Sequence, residues 1–523
     1  MAVALAGLAL LQFVLLSWAA KASPGRAARA VARSFIPLQA LWPLFLLVSL
    51  WDPANHIFVY YPGVGLYWGG IAFIFAIVQL ALVPVQLDGP TQLRAWLWRS
   101  MTGLRGASLR GPYAFPAVLL AYASLRVSIL FSFDLAKRLD AGPPFEQAYA
   151  LGTLTDQGVY PYLQRWSEYP PGLPWLSSGV YRAVSFFGVD YGRYYVAMTL
   201  TLFLFGVGSL VLLYKIADAL WDRPRAVRAA ALYAVLVMPA HEMLRVFEEL
   251  PVFFLLLTTY LLVVNRRHAG ALALALGALV KIVPLAVGPA LLRYAGGWRE
   301  AGRIVTIAAV VGAGVLTPLR WFGGPWFDAS FANMLARPPW ETVWALLDGF
   351  YGPGGAPDYR MNPVTATAYD HVGRLPAWFW PLLPLALAVF YLTVLRRAPR
   401  QDARGRVALT LLCVVAFTLA NKGFSPQFIL WIVPFVLILS PTGRGLTLVL
   451  GLTLLEQFRW GIHLALGWPL WWMALTVSVR TAALIGIGVW AYRLAWPRAT
   501  GEMPPRGAAA AGIPAGAPPA QSL

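Results

Sequence analysis

The chain has little charge and less acid: 12% of its 523 residues are charged, 22 Asp and Glu against 41 Lys and Arg. Its one cysteine, Cys413, lies inside an apolar run, which excludes a disulfide framework and a thiolate metal site. There is no Asp-X-Asp metal–nucleotide motif, no Gly-X-X-X-X-Gly-Lys phosphate loop and no pair of histidines at metal-ligand spacing. The histidines at 56, 241, 268, 371 and 463 are scattered. Nucleotide-dependent chemistry therefore has no visible site, and neither a metal nor a cofactor is expected. Strand-like alternation is also missing, since the apolar runs are continuous, so a membrane β-barrel is excluded.

Apolar surface is what the chain has in abundance. Hydrophobic residues make up 59% of it, with a mean hydropathy of +0.64. A chain that bathes in lipid keeps such a composition, whereas one in water does not. Crossing about 30 Å of hydrocarbon takes roughly 20 apolar residues. Such runs begin near 2, 36, 64, 113, 194, 227, 250, 269, 304, 375, 407, 427, 445 and 474. The reading is an all-α polytopic membrane protein of about 13–15 hydrophobic segments with large external loops. Residues 1–20 lack the charged start of a signal peptide and read as a first span.

The net charge of +19 sits in short clusters between the runs, at 21–33, 94–110, 222–228, 266–267, 293–303 and 396–406. Membrane topology accounts for this pattern better than a nucleic-acid partner does. Placing the clusters in the cytoplasm puts the N-terminus outside, the C-terminus inside, and the 134–193 and 320–374 loops on the external face. Residues 269–292 have basic flanks on both sides, so the segment is expected to enter and return, turning near Lys281 and Pro284. Residues 1–112 form extra N-terminal spans, 113–496 the main membrane domain, and 497–523, rich in Gly, Ala and Pro, a disordered tail.

One loop between spans is stiffened and aromatic: Gly158-Val-Tyr-Pro-Tyr162-Leu-Gln-Arg165-Trp-Ser-Glu168-Tyr169-Pro-Pro-Gly172. Pro161, Pro170 and Pro171 fix its path, which suits a surface shaped to bind. Just upstream, Asp134 and Asp140 follow a span directly, where partial desolvation raises the basicity of a carboxylate. The alternative for each acid of this loop is pairing with Lys137, Arg138 or Arg165, and for Glu168 pinning the loop by accepting backbone N–H bonds. Glu248 and Glu249 open the span at 250, with His241, Glu242 and Arg245 just before them. Lys281 stands deep in an apolar run; a charge there needs a partner, either a carboxylate such as Glu248 or a phosphate. Two further elements fall in the same compartment: Arg337-Pro-Pro-Trp-Glu-Thr-Val-Trp344, and the turn from Asn421 and Lys422 to Gln427. Either could equally be an interfacial Trp anchor or ordinary turn chemistry.

Taken together these elements resemble the GT-C superfamily of integral-membrane glycosyltransferases, and within it glycosyltransferase family 87, the polyprenyl-phosphate-mannose-dependent α-mannosyltransferases. The matching features, in order, are an early acid (Asp140 or Asp134), Gly158-Val-Tyr-Pro-Tyr162, and Glu168-Tyr169-Pro-Pro171. Then come Glu248-Glu249-Leu-Pro251, the helix from Gly277 through Lys281 to Pro284, and Asn421 to Gln427. Two departures stand out. The family usually has Asp where Glu248 lies, and the spacing from the acid to Gly158 is longer than the family's. Asp140 needs the smaller insertion and is favoured over Asp134.

The resemblance implies a GT-C-like domain in a bacterial plasma membrane, with its active site on the external face. It implies inverting, metal-independent transfer of mannose from a polyprenyl-phosphate donor to a glycolipid or glycan acceptor, in contact with membrane lipid. Asp140 or Asp134 would be the base. Lys281, Glu168, Tyr169, Tyr162, Glu248, Glu249, Arg337, Lys422 and Gln427 would bind substrate. The main alternative is a transporter or flippase of a polyprenyl-linked glycan, with Lys281 and Glu248 as its relay; a non-catalytic scaffold ranks below it.

Overall fold

The structure, a computed structural model, describes residues 143–236, 247–350, 359–466 and 470–497, with short helical pieces at 114–116, 118–119 and 122–123. The expected spans before residue 112, both candidate bases Asp134 and Asp140, the cluster of His241, Glu242 and Arg245, and the tail from 498 lie outside the described residues.

Two short helices, α1 (Pro143–Asp156) and α2 (Gly172–Ser185), precede the long α3 (Tyr191–Leu220) and α4 (Arg223–Leu236). Then follow α5 (Glu249–Val263), α6 (Arg267–Val280), α7 (Gly288–Arg293), α8 (Trp298–Gly323), α9 (Pro325–Ala336) and α10 (Val343–Asp348). The chain ends with α11 (Leu382–Arg396), α12 (Ala403–Ala420), α13 (Val433–Leu439), α14 (Gly443–Leu466) and α15 (Leu470–Ala495). Among the described residues five stretches are long and apolar enough to cross a membrane: α3, α8, Ala377–Arg396, α12 and α15. No strand occurs among the described residues. The protein is thus an all-α polytopic membrane protein.

Local chemistry sets the helix starts. Asp190, Thr342 and Asp402 cap α3, α10 and α12, each accepting a backbone N–H bond three residues on. Pro325 and Pro426 open helical turns where no donor is missed. The core gathers around α12 and α13, where Val407 through Val415 and Val433 through Leu439 are buried almost without interruption.

The basic clusters at 222–228, 266–267, 293–303 and 396–406 meet at one end of the bundle. Arg267 pairs with Glu300 at 3.0 Å, Arg293 donates to the Arg397 carbonyl at 2.6 Å, and Arg406 donates to the Val263 carbonyl at 2.9 Å. Arg404 stacks 4.8 Å from the Trp221 ring. This is the grouping that the charge pattern predicts.

The chain from 267 to 293 enters and returns. A Cβ at Gly270 would lie 3.2 Å from Leu291, one at Gly288 3.6 Å from Leu274, and one at Gly277 2.9 Å from Pro284. Those three rungs make an antiparallel pair, α6 up and α7 back, joined through a 3-10 turn at Val283–Val287. Lys281 and Ile282 form the tip, with Lys281 extended at φ −157°. The 14 residues of α6 rise about 21 Å, so the tip stops roughly two-thirds of the way across hydrocarbon about 30 Å thick.

A topology assay checks the hairpin. His268 and Arg299 are exposed at its two feet, and Cys413 is buried and inert to a label. Single cysteines placed at 268 and 299 are expected to react with a membrane-impermeant maleimide from the same side. Labelling from opposite sides would show a single crossing.

Candidate active site

At the end opposite the basic clusters, the loop from Gln157 to Pro171 is held in one shape. Tyr162 adopts φ +71°, a conformation that costs a bulky residue on the order of 1–3 kcal/mol. The fold sustains it by burying the ring completely and letting its hydroxyl donate to the Tyr169 carbonyl. Gly323, at the end of α8, closes against the Tyr162 carbonyl so tightly that no Cβ fits between them. Burial and the neighbouring Glu168 charge push the Tyr169 hydroxyl pKa well up.

This shape aims Glu168 at two guanidiniums. Its carboxylate accepts from Arg360 at 3.0 Å and faces Arg337 at 3.6 Å. Arg360 is set by its own backbone, whose carbonyl accepts from Trp166 N–H at 3.3 Å, and its guanidinium lies 5.2 Å from the Trp166 ring. Arg165 comes to the same place, buried beside Arg360. Tyr369 approaches through Asn333, whose amide donates to its hydroxyl at 2.6 Å.

Next to this cluster lies the tip of the hairpin. Lys281 forms an ion pair with Glu248. The other Glu248 oxygen accepts from the Trp431 indole N–H at 2.7 Å. The ammonium sits 4.5 Å from the Phe428 ring centroid and 5.3 Å from that of Trp431, so its desolvation is offset by one carboxylate and two ring faces. Glu249 is buried one position on, in the first turn of α5, and Gln427 is half-buried on the turn that carries Phe428. Gly172 starts α2 against this tip, 2.8 Å from the Leu279 carbonyl measured from a Cβ placed there.

The two late sequence elements are joined. Trp340 bridges Gly423 in a short parallel pairing, with Trp340 N–H donating to the Lys422 carbonyl at 3.2 Å and Phe424 N–H to the Trp340 carbonyl at 2.9 Å. Gly423 carries no side chain because the Trp340 ring occupies that space. Arg337 stacks 4.3 Å from the same ring. Lys422 donates to the Leu335 carbonyl at the end of α9 and lies 5.7 Å from the Trp380 ring. Burial, with Arg337 nearby, pulls its ammonium pKa down to about 8.

Behind this junction is a set of charges that sequence reasoning missed. Arg459 contacts Glu341 at 2.6 Å and Glu456 at 3.0 Å, and Arg480 contacts Glu456 at 2.9 Å, all four side chains at most 3% exposed. Arg480 also donates to the Glu341 carbonyl and covers the Phe424 ring at 3.8 Å. Glu341 sits at φ +52° to make these contacts. Charges inside the apolar runs of α14 and α15 were the available signal, the same one that singled out Lys281. Arg165 was visible only as a loop cation, and Arg360 carried no signal at all.

The structure therefore brings Glu168, Tyr169, Arg337, Glu248 and Lys281 to one end, with Lys422 beside Arg337, and uses Tyr162 as a strut. Replacing Glu248 with Gln strands the Lys281 charge, and the expected loss is about 3–5 kcal/mol. The double variant Glu248→Gln/Lys281→Met is expected to recover most of it, since it removes both charges. Denaturant unfolding of the purified protein in detergent measures both.

No curated protein matches the sequence. The model of glycosyltransferase family 87 matches residues 183–421. That stretch holds Glu248, Lys281 and Arg337, and stops short of Glu168 and Lys422. Over those residues the chain is similar to glycosyltransferase family 87, which supports a glycosyltransferase, and its long apolar helices suit a multi-pass membrane protein.

Proposed function

We propose that the protein transfers mannose from a polyprenyl-phosphate donor to a hydroxyl of a lipid-linked or exported acceptor, with inversion, at the external face of a bacterial plasma membrane. The observation that carries this reading is the gathering of Lys281, Arg337 and Lys422 near one bundle end, opposite the basic clusters. Cations at that depth and on that side suit a phosphate whose lipid stays in the bilayer.

In this reaction Asp140, or Asp134, accepts the acceptor's hydroxyl proton as the oxygen bonds to the anomeric carbon. The bond from that carbon to the phosphate oxygen breaks, and its electron pair leaves with the polyprenyl phosphate. Lys281 stabilises the growing phosphate charge, Glu248 holds its ammonium in place, and Lys422 and Arg337 lend further positive charge. Glu249 and Gln427 line the donor side, Glu168 with the loop of Tyr162 and Tyr169 holds the acceptor side, and the aromatic spans take the prenyl chain.

A flippase of a polyprenyl-linked glycan is the second reading, and the broken, re-entrant helix favours it. Transfer assays separate the two. With polyprenyl-phosphate-mannose, chelator and a panel of lipid acceptors, the purified protein is expected to make product. Asp140→Asn or Asp134→Asn is expected to lower turnover by about 10²–10⁴-fold while donor binding persists. Donor binding without product, unchanged in both variants, would favour transport.

Lys422 sets an alkaline limit. It is charged below its pKa of about 8 and loses its proton as pH rises through that value. Turnover is expected to fall above about pH 8. Lys422→Arg, charged throughout, is expected to move the limb upward by a unit or more in a pH–rate profile.

A further inference from the structure

Between α1, α2 and the 157–171 loop is a cleft whose walls do not match in charge. Gln147, Arg165, Ser167, Glu168 and Arg360 supply the polar side, and Leu173 and Phe247 belong to the apolar side. Among the described residues Glu168 is the one carboxylate lining it, and that carboxylate is already committed to Arg360 at 3.0 Å and Arg337 at 3.6 Å. Arg165 is left over. Its residue is 9% exposed, its Nε is buried without a hydrogen-bond partner, and no carboxylate among the described residues pairs with it. Burial and the like charge of Arg360 draw its pKa down to about 10, the direction expected of a cation whose counter-charge is missing. The loop does not need this side chain, because Arg165 holds its place through its backbone carbonyl, which accepts from Tyr162 N–H at 2.8 Å.

We propose that this cleft is an oxyanion subsite, with Arg165 and Arg360 as its cationic wall, that takes the acidic headgroup of the acceptor. Two planar guanidiniums lining one cleft suit a phosphate or carboxylate. The apolar side, Leu173 and Phe247, gives the first methylenes of a lipid a dry surface beside the charged group. The cleft lies on the face assigned to the acceptor, while Lys281 and Lys422 do not line it. The acceptor is then an anionic lipid or glycan. Assigning the anion to the acceptor rests on the transfer reaction proposed above, whereas the existence of the anion site does not.

Binding to the full-length protein in detergent tests the site without any turnover. The probes are dioctanoyl phosphatidylglycerol and the neutral dioctanoyl glucosyl-glycerol. The wild type is expected to prefer the anionic probe by about 10-fold or more, Arg165→Gln to lose that preference, and Arg165→Lys to keep most of it. An equal affinity for both probes, or a preference that survives Arg165→Gln, would overturn the anion site. Steady-state transfer then separates the two sources of the anion. Arg165→Gln is expected to raise KM for an anionic acceptor and leave KM for the polyprenyl-phosphate donor unchanged. A rise in donor KM instead would assign the anion to the donor's phosphate and overturn the acceptor assignment.

Discussion

Charge inside a low-dielectric bundle has to bring its own counter-charge, and the arrangement of this protein follows from that constraint. An unpaired ion transferred out of water costs several kcal/mol even after relaxation. Among the described residues, six ionisable side chains nonetheless pair within or at the edge of the apolar bundle: Lys281 with Glu248, and Arg459 and Arg480 with Glu341 and Glu456. Both sets tie separate elements together, and the pair of Arg459 with Glu341 spans 118 positions of the chain. The first ties the hairpin tip to the start of α5. The second ties α14 and α15 to the strand-like turn after Arg337. The polar end of the bundle is held together by these crossings more than by the loops themselves.

The set of four also has a directional effect. Arg480 covers Phe424 and binds the Glu341 carbonyl, and these two residues flank the pairing of Trp340 with Gly423. Arg337 and Lys422 project from that pairing. A network wholly enclosed by spans thus fixes two cations that face the aqueous end. Glu341 and Tyr162 each hold a positive φ where surrounding contacts over-determine the backbone.

How much of this was legible in the sequence depended on the kind of signal. The apolar runs were continuous, and the described helices begin where those runs begin, as at 191, 249, 267, 298, 403 and 470. The return of the 267–293 segment was legible because a charge rule contradicted a length rule, and only a turn at Lys281 reconciled them. Glu248 as the partner of Lys281 followed from the need for an anion at that depth. Arg459, Glu456 and Arg480 were equally anomalous inside apolar runs, but their meaning depends on Glu341, 115 positions or more away, whose side chain looks like an ordinary loop acid. Arg360 was invisible because a loop arginine in a basic protein carries no periodicity, spacing or burial cue. Three-dimensional proximity to Glu168 is its whole significance.

The buried quartet has a consequence for how the protein is made. Helix α14 carries Glu456 and Arg459 in its interior, and α15 carries Arg480, so neither is comfortable alone in lipid. Their counter-charge at Glu341 emerges from the ribosome far earlier and must wait. The junction of Trp340 and Gly423 cannot lock until Arg480 arrives with the last span. Biogenesis therefore has a built-in order: the amino-terminal two-thirds can enter the bilayer and pack, but the polar end becomes rigid only when the final hairpin of helices is delivered. A nascent chain cut short before α15 would hold the hairpin of Lys281 and leave Glu456 and the Glu341 carbonyl without Arg480.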